Sequence, residues 1–303
     1  MMKTDLLDGY KKRVQEQNLP VDSVMVFRGH DLVAEHRWTP DLPHMIYSHT
    51  KSFAATAIGI AIDEGRLRLD ARVSDAFPDE MPAAGYPWAD ELTLRHLLMM
   101  SSGRDVPLLM GDSRGTLAEK DWVRHVLAHP IQSQPGTRFT YSNGDTYLAG
   151  VMLEKAVGMT LADYVMDRLL VPMGIPKPEW EHCPLGHTFA ASGMWLRTAD
   201  MAKLGILCLM QGEWNGRRLV SEAWIREAGA WHIDTREPEM EWRCGYGYQF
   251  WRNPIPKSYR ADGLLGQYSH VLPCQGAVIA MNNHAQDPYP ILDAMRDEIV
   301  ARL

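Results

Sequence analysis

Residues 53 to 62 read Phe-Ala-Ala-Thr-Ala-Ile-Gly-Ile-Ala-Ile, ten residues with no charge and an apolar surface on nearly every side. The run is far shorter than the roughly 20 residues needed to cross a bilayer. As a helix it has to be covered all round, so the rest of the chain must build layers about it. A chain of 303 residues is long enough to do so, as one large domain or two smaller ones. Asp63-Glu64-Gly65 closes the helix with a glycine stop signal. A hydrophobic content of 46% and a charged content of 23% are ordinary globular values.

Directly before this run stands Ser48-His49-Thr50-Lys51. Residues at i and i+3 share a helix face, so a hydroxyl and an amine meet at the start of a buried helix. A serine hydroxyl becomes a nucleophile when a base takes its proton. A lysine can be that base once burial makes its amine neutral. The positive end of the helix favours the negative charge that then develops. The plainer reading of Ser48 is a helix cap, and a four-residue pattern arises easily by chance.

Elsewhere the chain alternates capping signals with short strand-like runs. An amphipathic helix is expected over residues 5 to 17, then a hairpin from Ser23–Phe27 and Leu32–Arg37 about the turn Arg28-Gly29-His30-Asp31. Thr93 opens a helix to Met100, closed by Gly103. Thr116-Leu117-Ala118-Glu119 reads as a capping box for a helix stopping at Pro130. Helices are also expected from Thr146 to Val157, after Thr160, after Thr198 to about Met210, after Ser221, and from Pro290 to Leu303. Strands are expected at Tyr246–Trp251, Tyr268–Leu272 and Gly276–Met281. Strands at both ends with helices between predict a sheet built from both termini.

Tyr141-Ser142-Asn143 is the one Tyr-x-Asn in the chain and stands just before a helix. A phenol and an amide two residues apart can face one pocket from a loop; helix capping is the plainer reading. With Ser48 and Lys51, these residues resemble the serine β-lactamases and penicillin-binding proteins, above all the branch of class C β-lactamases, D-alanyl-D-alanine peptidases and esterases. The stretches Leu92–Leu98 with Ser101-Ser102-Gly103, Pro135–Asn143 and Ala191–Ala202 are similar to that branch in the same order. The resemblance implies an α+β, β-lactamase-like fold: an antiparallel sheet domain from residues 1–66 and 190–303, an all-helical subdomain over 67–189, and the active site between them. It further implies a serine hydrolase cleaving an ester or amide through a Ser48 acyl-enzyme, with Lys51 and Tyr141 moving the proton and Asn143 binding substrate. Gly266 and Gln267 are implied as substrate-binding, with the oxyanion on the backbone N–H groups of Ser48 and Gln267.

The family's third motif carries Lys or His on a strand lining the pocket. Here Gly263-Leu264-Leu265-Gly266-Gln267-Tyr268 is the matching stretch, and Leu264 stands at the cation's place. A leucine leaves a substrate carboxylate unpaired. Arg260 is the nearby candidate to replace the cation. The expectation is therefore an esterase or amidase for a small, rather apolar substrate, its pocket lined by the aromatic run Tyr246–Trp251. The alternatives are a true β-lactamase or D-alanyl-D-alanine peptidase and, from another class, a non-hydrolytic penicillin-binding or sensor module.

A competing serine lies in Gly111-Asp112-Ser113-Arg114-Gly115, the Gly-x-Ser-x-Gly pattern of a nucleophile elbow. It lacks the strand before it and the helix after it, and reads as a loop. The formal net charge of −7 and the scattered arginines give no nucleic-acid footprint. Cys183, Cys208, Cys244 and Cys274 are dispersed, and no His-Glu-x-x-His occurs, so neither a metal nor an organic cofactor is expected. The first residues lack a secretory pattern, which points to a cytoplasmic protein with no membrane partner.

Overall fold

The computed structural model describes residues 5–83, 85–235 and 240–303, with Asp112 and Ser113 described in backbone alone. Helix α1 (Asp8–Glu16) leads into the hairpin β1 (Val21–Arg28) and β2 (Asp31–Arg37). Helix α2 (Thr50–Asp63) follows a single 3-10 turn, Tyr47–His49. Helices α3 (Leu94–Leu98), α4 (Trp122–Leu127), α5 (Asn143–Val157) and α6 (Leu161–Val165) come next. Then come α7 (Thr198–Leu209) and α8 (Glu222–Ala228). The chain ends with strands β3 (Trp251–Arg252), β4 (Tyr259–Gly263), β5 (Gln267–Leu272) and β6 (Ala277–Asn283), and helix α9 (Tyr289–Glu298).

The six strands form one antiparallel sheet in the order β2-β1-β6-β5-β4-β3. The N-terminal hairpin thus pairs with the last strand, Val24 opposite Met281 and Val26 opposite Ile279. Period-two alternation sorts the side chains to the two faces. Val24, Val26, Ile279 and Met281 meet Tyr10 and Val14 of α1 and Ile291 and Met295 of α9. Met25, Phe27, Val278 and Ala280 meet Ala202 and Ile206 of α7. The close fit there needs a glycine: a Cβ on Gly205 would lie 2.7 Å from Val278 Cγ1.

Helix α2 is enclosed as its composition requires, with every residue from Thr50 to Ala61 buried. Its Gly59 faces the Trp224 ring of α8, where a Cβ would fall 2.3 Å from ring atoms. Residue 59 therefore sets how closely α8 packs on the central helix.

Three sequence expectations change. The Thr116 capping box does not form; Asp121 caps α4 instead, its carboxylate accepting from the N–H groups of Val123 and Arg124. Thr198 lies inside α7, its hydroxyl 2.5 Å from that of Ser23 on β1, so it ties helix to sheet rather than capping. Tyr246–Phe250 is irregular, broken by Gln249 at φ +64°, and regular pairing begins only at Trp251. Strand β4 was not anticipated.

Candidate active site

Ser48 lies in the 3-10 turn that runs into α2, and Lys51 lies in the first turn of α2. Two backbone contacts hold this turn. Ile46 N–H donates to Met194 O at 2.9 Å, and His44–Met45 pairs with Trp195–Leu196. Tyr47 takes a left-handed conformation, φ +45°, directly before the serine. For a residue with a side chain that conformation costs on the order of 1–2 kcal/mol, and the surrounding contacts hold it there.

Lys51 Nζ is buried and has three neighbours: Ser48 Oγ at 2.9 Å, Asn143 Oδ1 at 2.7 Å and Ala191 O at 2.7 Å. Among the described residues no carboxylate touches it. Burial pushes its pKa well below the ordinary lysine value; the Arg114 charge lowers it further and the Asp262 charge partly opposes this.

Asn143 is the first residue of α5, and its own amide is fixed by donation to Leu109 O at 2.9 Å. That donation turns Oδ1 toward Lys51. Ser142 does not cap the helix. Its hydroxyl accepts from Leu108 N–H at 3.1 Å, so the 108–111 loop clamps the Tyr-Ser-Asn segment.

The Tyr141 ring centroid is 5.0 Å from Lys51 Nζ, and the ring stacks on Trp251 at 5.7 Å and 27°. Burial raises the phenol's pKa, while a hydrogen bond with Ser48 and the Arg243 charge pull the other way. The four residues expected to act together, Ser48, Lys51, Tyr141 and Asn143, thus meet around Lys51 Nζ.

Gly266 and Gln267 close the hairpin that follows β4. Both face Asn283: Gly266 O accepts from Asn283 Nδ2, and Gln267 Nε2 donates to Asn283 O at 2.5 Å. The stretch assigned to the third motif is the tight turn between β4 and β5, with Leu265 at φ +63° and Gly266 at φ +91°. Leu264 is 65% exposed at its tip, so it is neither on a strand nor in a pocket wall. The glycine that touches the nucleophile turn is Gly263, where a Cβ would lie 2.2 Å from Ile46 O and 3.2 Å from His49 N.

Arg260 is also committed. It is buried, with Nε on Asp262 Oδ2 at 2.8 Å, Nη1 on Asn253 Oδ1 at 2.9 Å and Nη2 on Trp242 O at 3.0 Å. It cannot replace the missing cation without breaking this set.

The Ser113 side chain lies outside the described residues. Its backbone is in the 3-10 turn Asp112–Thr116, preceded by loop rather than strand. The neighbouring Arg114 grips Glu181 with two hydrogen bonds, 2.8 and 2.6 Å.

Three residues of the site carried no sequence signal. Ala191 contributes only a backbone carbonyl. Asp262 is discussed below. His49 is fully buried, and its Nε2 lies 2.9 Å from Ser269 Oγ. Ser269 donates its hydrogen to Met201 O at 2.9 Å, so His49 carries its proton on Nε2. Burial lowers the His49 pKa to about 3, which keeps it neutral. This chain of bonds ties the nucleophile turn to β5 and α7.

Among the described residues no group of three or more His, Cys, Asp or Glu is arranged to hold a metal ion, and the four cysteines are free thiols. No described helix is long and apolar enough to cross a membrane.

Comparison with known proteins shows the family to which the chain belongs. The chain is 28% identical over 138 residues to protein flp of Staphylococcus aureus (strain MW2), 45% of this chain and 27% of that protein. It is 26% identical over 271 residues to penicillin-binding protein 4 of Amycolatopsis lactamdurans, covering 77% of this chain and 70% of the relative. A penicillin-binding protein homologue from Caulobacter crescentus superposes with a TM-score of 0.77 at 18% identity, over 99% of this chain and 97% of the other. The chain thus matches only about a quarter of the length of flp, but nearly all of the solved fold. The model of the family described as Beta-lactamase matches residues 8–302, and the chain belongs to that family.

Proposed function

We propose that the protein is a serine hydrolase that cleaves an ester or amide through an acyl-enzyme on Ser48. The observation that carries this is the hydrogen count at Lys51. Asn143 Oδ1 and Ala191 O have no proton to give, so Lys51 must donate to both. A neutral amine has two hydrogens. Both are then engaged, and its lone pair is left facing Ser48 Oγ at 2.9 Å. In that state Ser48 donates to Lys51, which is the geometry of a nucleophile and its base.

Ser48 Oγ attacks the carbonyl carbon as its proton passes to Lys51 Nζ. The carbonyl π electrons move to oxygen, which is held by the Ser48 N–H and a second N–H from the β4–β5 hairpin. The family resemblance assigns that second donor to Gln267, which is paired opposite Gly263. Each such donor is worth roughly 10²–10³ in rate. The tetrahedral intermediate collapses by breaking the bond to the leaving alcohol or amine. Tyr141, kept a neutral phenol by its raised pKa, donates a proton to that group and is reprotonated from Lys51. Water deacylates Ser48 by the same steps in reverse. The engagement of Arg260 with Asp262, Asn253 and Trp242 supports an esterase or amidase over an enzyme of carboxylate-bearing β-lactams.

The test uses a fluorophosphonate probe and a chromogenic short-chain ester. Ser48→Ala is expected to lose both labelling and turnover, and Ser113→Ala to keep both. Labelling that survives Ser48→Ala and vanishes in Ser113→Ala overturns the assignment. A stable acyl adduct by intact mass, with no turnover, would instead indicate a binding or sensor protein.

A further inference from the structure

Among the described residues, Asp262 is the acid whose charge reaches both Lys51 and Tyr141. It is the residue before Gly263, the point where β4 presses on the nucleophile turn. Its side chain is 22% exposed, while Arg260 behind it is 3% exposed. Arg260 Nε holds Oδ2 at 2.8 Å and fixes the carboxylate's direction. Oδ1 has no protein partner among the described residues. The site wall beside it is aromatic: Arg260 lies 5.9 Å from the Trp251 centroid, Arg243 lies 5.7 Å from it, and Trp251 stacks on Tyr141. The chain therefore holds a carboxylate oriented through one oxygen, on the strand residue next to the one that presses on the nucleophile turn.

We propose that Asp262 is a specificity-determining residue whose carboxylate accepts an ammonium group on the acyl portion of the substrate, so that the protein takes amine-bearing esters or amides and disfavours carboxylate-bearing ones. The inference rests on the hydrolase reading above. Two physical arguments support it. A charged donor on a fixed carboxylate makes a strong, directional hydrogen bond. A substrate carboxylate brought to the same place meets the like charge of Asp262. Arg260 cannot turn to meet an anion, because its other nitrogens are held by Asn253 and by the carbonyls of Trp242 and Arg252.

The experiment compares 4-nitrophenyl esters of three six-carbon acids that differ only at the far end: hexanoate, 6-aminohexanoate and the adipate monoester. The natural protein is expected to rank kcat/KM as ammonium, then neutral, then carboxylate. In Asp262→Asn the ammonium-to-neutral ratio should fall about tenfold or more, the size of one charge-assisted hydrogen bond, and the carboxylate-to-neutral ratio should rise. Ratios within each variant cancel any general loss of activity. The natural protein supplies an independent measurement, competition against the neutral ester by hexylammonium and by hexanoate. Hexylammonium should inhibit at the lower concentration, and added salt should weaken it. Equal ratios in the two proteins, or stronger inhibition by hexanoate, overturn the inference while Ser48-dependent turnover of the neutral ester stands. If that turnover does not depend on Ser48, both readings fall.

Discussion

Lys51 has two opposing charges in view, Arg114 and Asp262, and no direct counter-ion among the described residues. Its protonation should therefore respond to either. With Arg114→Gln, loss of a positive charge, and release of Glu181 from its ion pair, should raise the Lys51 pKa. The acid limb of kcat/KM then moves to higher pH, by about half a unit or more. No alkaline limb is expected up to about pH 10, because burial holds the Tyr141 phenol protonated. A pH–rate profile on a neutral ester checks both points, and an unmoved acid limb would show that Lys51 is not the titrating base. Within the pairs Ser48–Lys51 and Tyr141–Asn143, short spacing beside a helix shows which side chains can share a pocket; that the two pairs meet each other was legible only through the family resemblance. Ala191 was not legible, because a backbone carbonyl leaves no mark in a sequence. Asp262 was missed because Leu264-Leu265 reads as strand. The chain instead turns there, with a leucine in a left-handed conformation that sequence patterns seldom signal.

At the scale of elements, the central helix tolerates a glycine for a packing reason. Alanine is worth about 1 kcal/mol more than glycine inside a helix. At residue 59 its methyl would strike the Trp224 ring, so α8 would have to move away. Gly59→Ala is expected to destabilise by about 1–3 kcal/mol despite the propensity gain, as overpacking does. Urea unfolding measures it, and a stabilised variant would show that α8 adjusts freely. The buried helix, the hairpin and the last two strands followed from apolar pattern and turn residues. The α4 boundary did not, because Thr116 and Asp121 are both good caps and only tertiary context selects between them. The short pair His44–Met45 with Trp195–Leu196 joins two-residue segments 150 positions apart, too little pattern for any local reading.

The whole molecule stores imidazoles in places that exclude their charge. His270 on β5 is fully buried with neither ring nitrogen hydrogen-bonded, and burial pushes its pKa well below normal. His49 is lowered to about 3 by the same cause. The unfolded chain binds these protons below about pH 6.5 and the native state does not, so stability falls as pH drops from there. Each histidine contributes roughly 1.4 kcal/mol per pH unit across that window. Asp145 opposes part of this between 3.8 and about 6, because burial raises its pKa and the native state keeps the proton. His270→Phe isolates one histidine. Between pH 6.5 and 5 the variant should lose about 2 kcal/mol less than the natural protein, read from urea titrations at each pH. An identical pH dependence would mean that His270 is already charged when folded.

The pairing of β1 with β6 has a temporal consequence. Val21–Arg28 finds its partner at Ala277–Asn283, some 250 residues downstream. At roughly 5–20 residues per second of synthesis, β1 and β2 wait on the order of 10–50 s as an unpartnered hairpin outside the ribosome. A hairpin alone is marginal in water, and its open edge invites pairing with other chains. The order of translation thus leaves the sheet to the end, after the helices around α2 have emerged. The nascent chain passes through a vulnerable interval that the finished structure conceals.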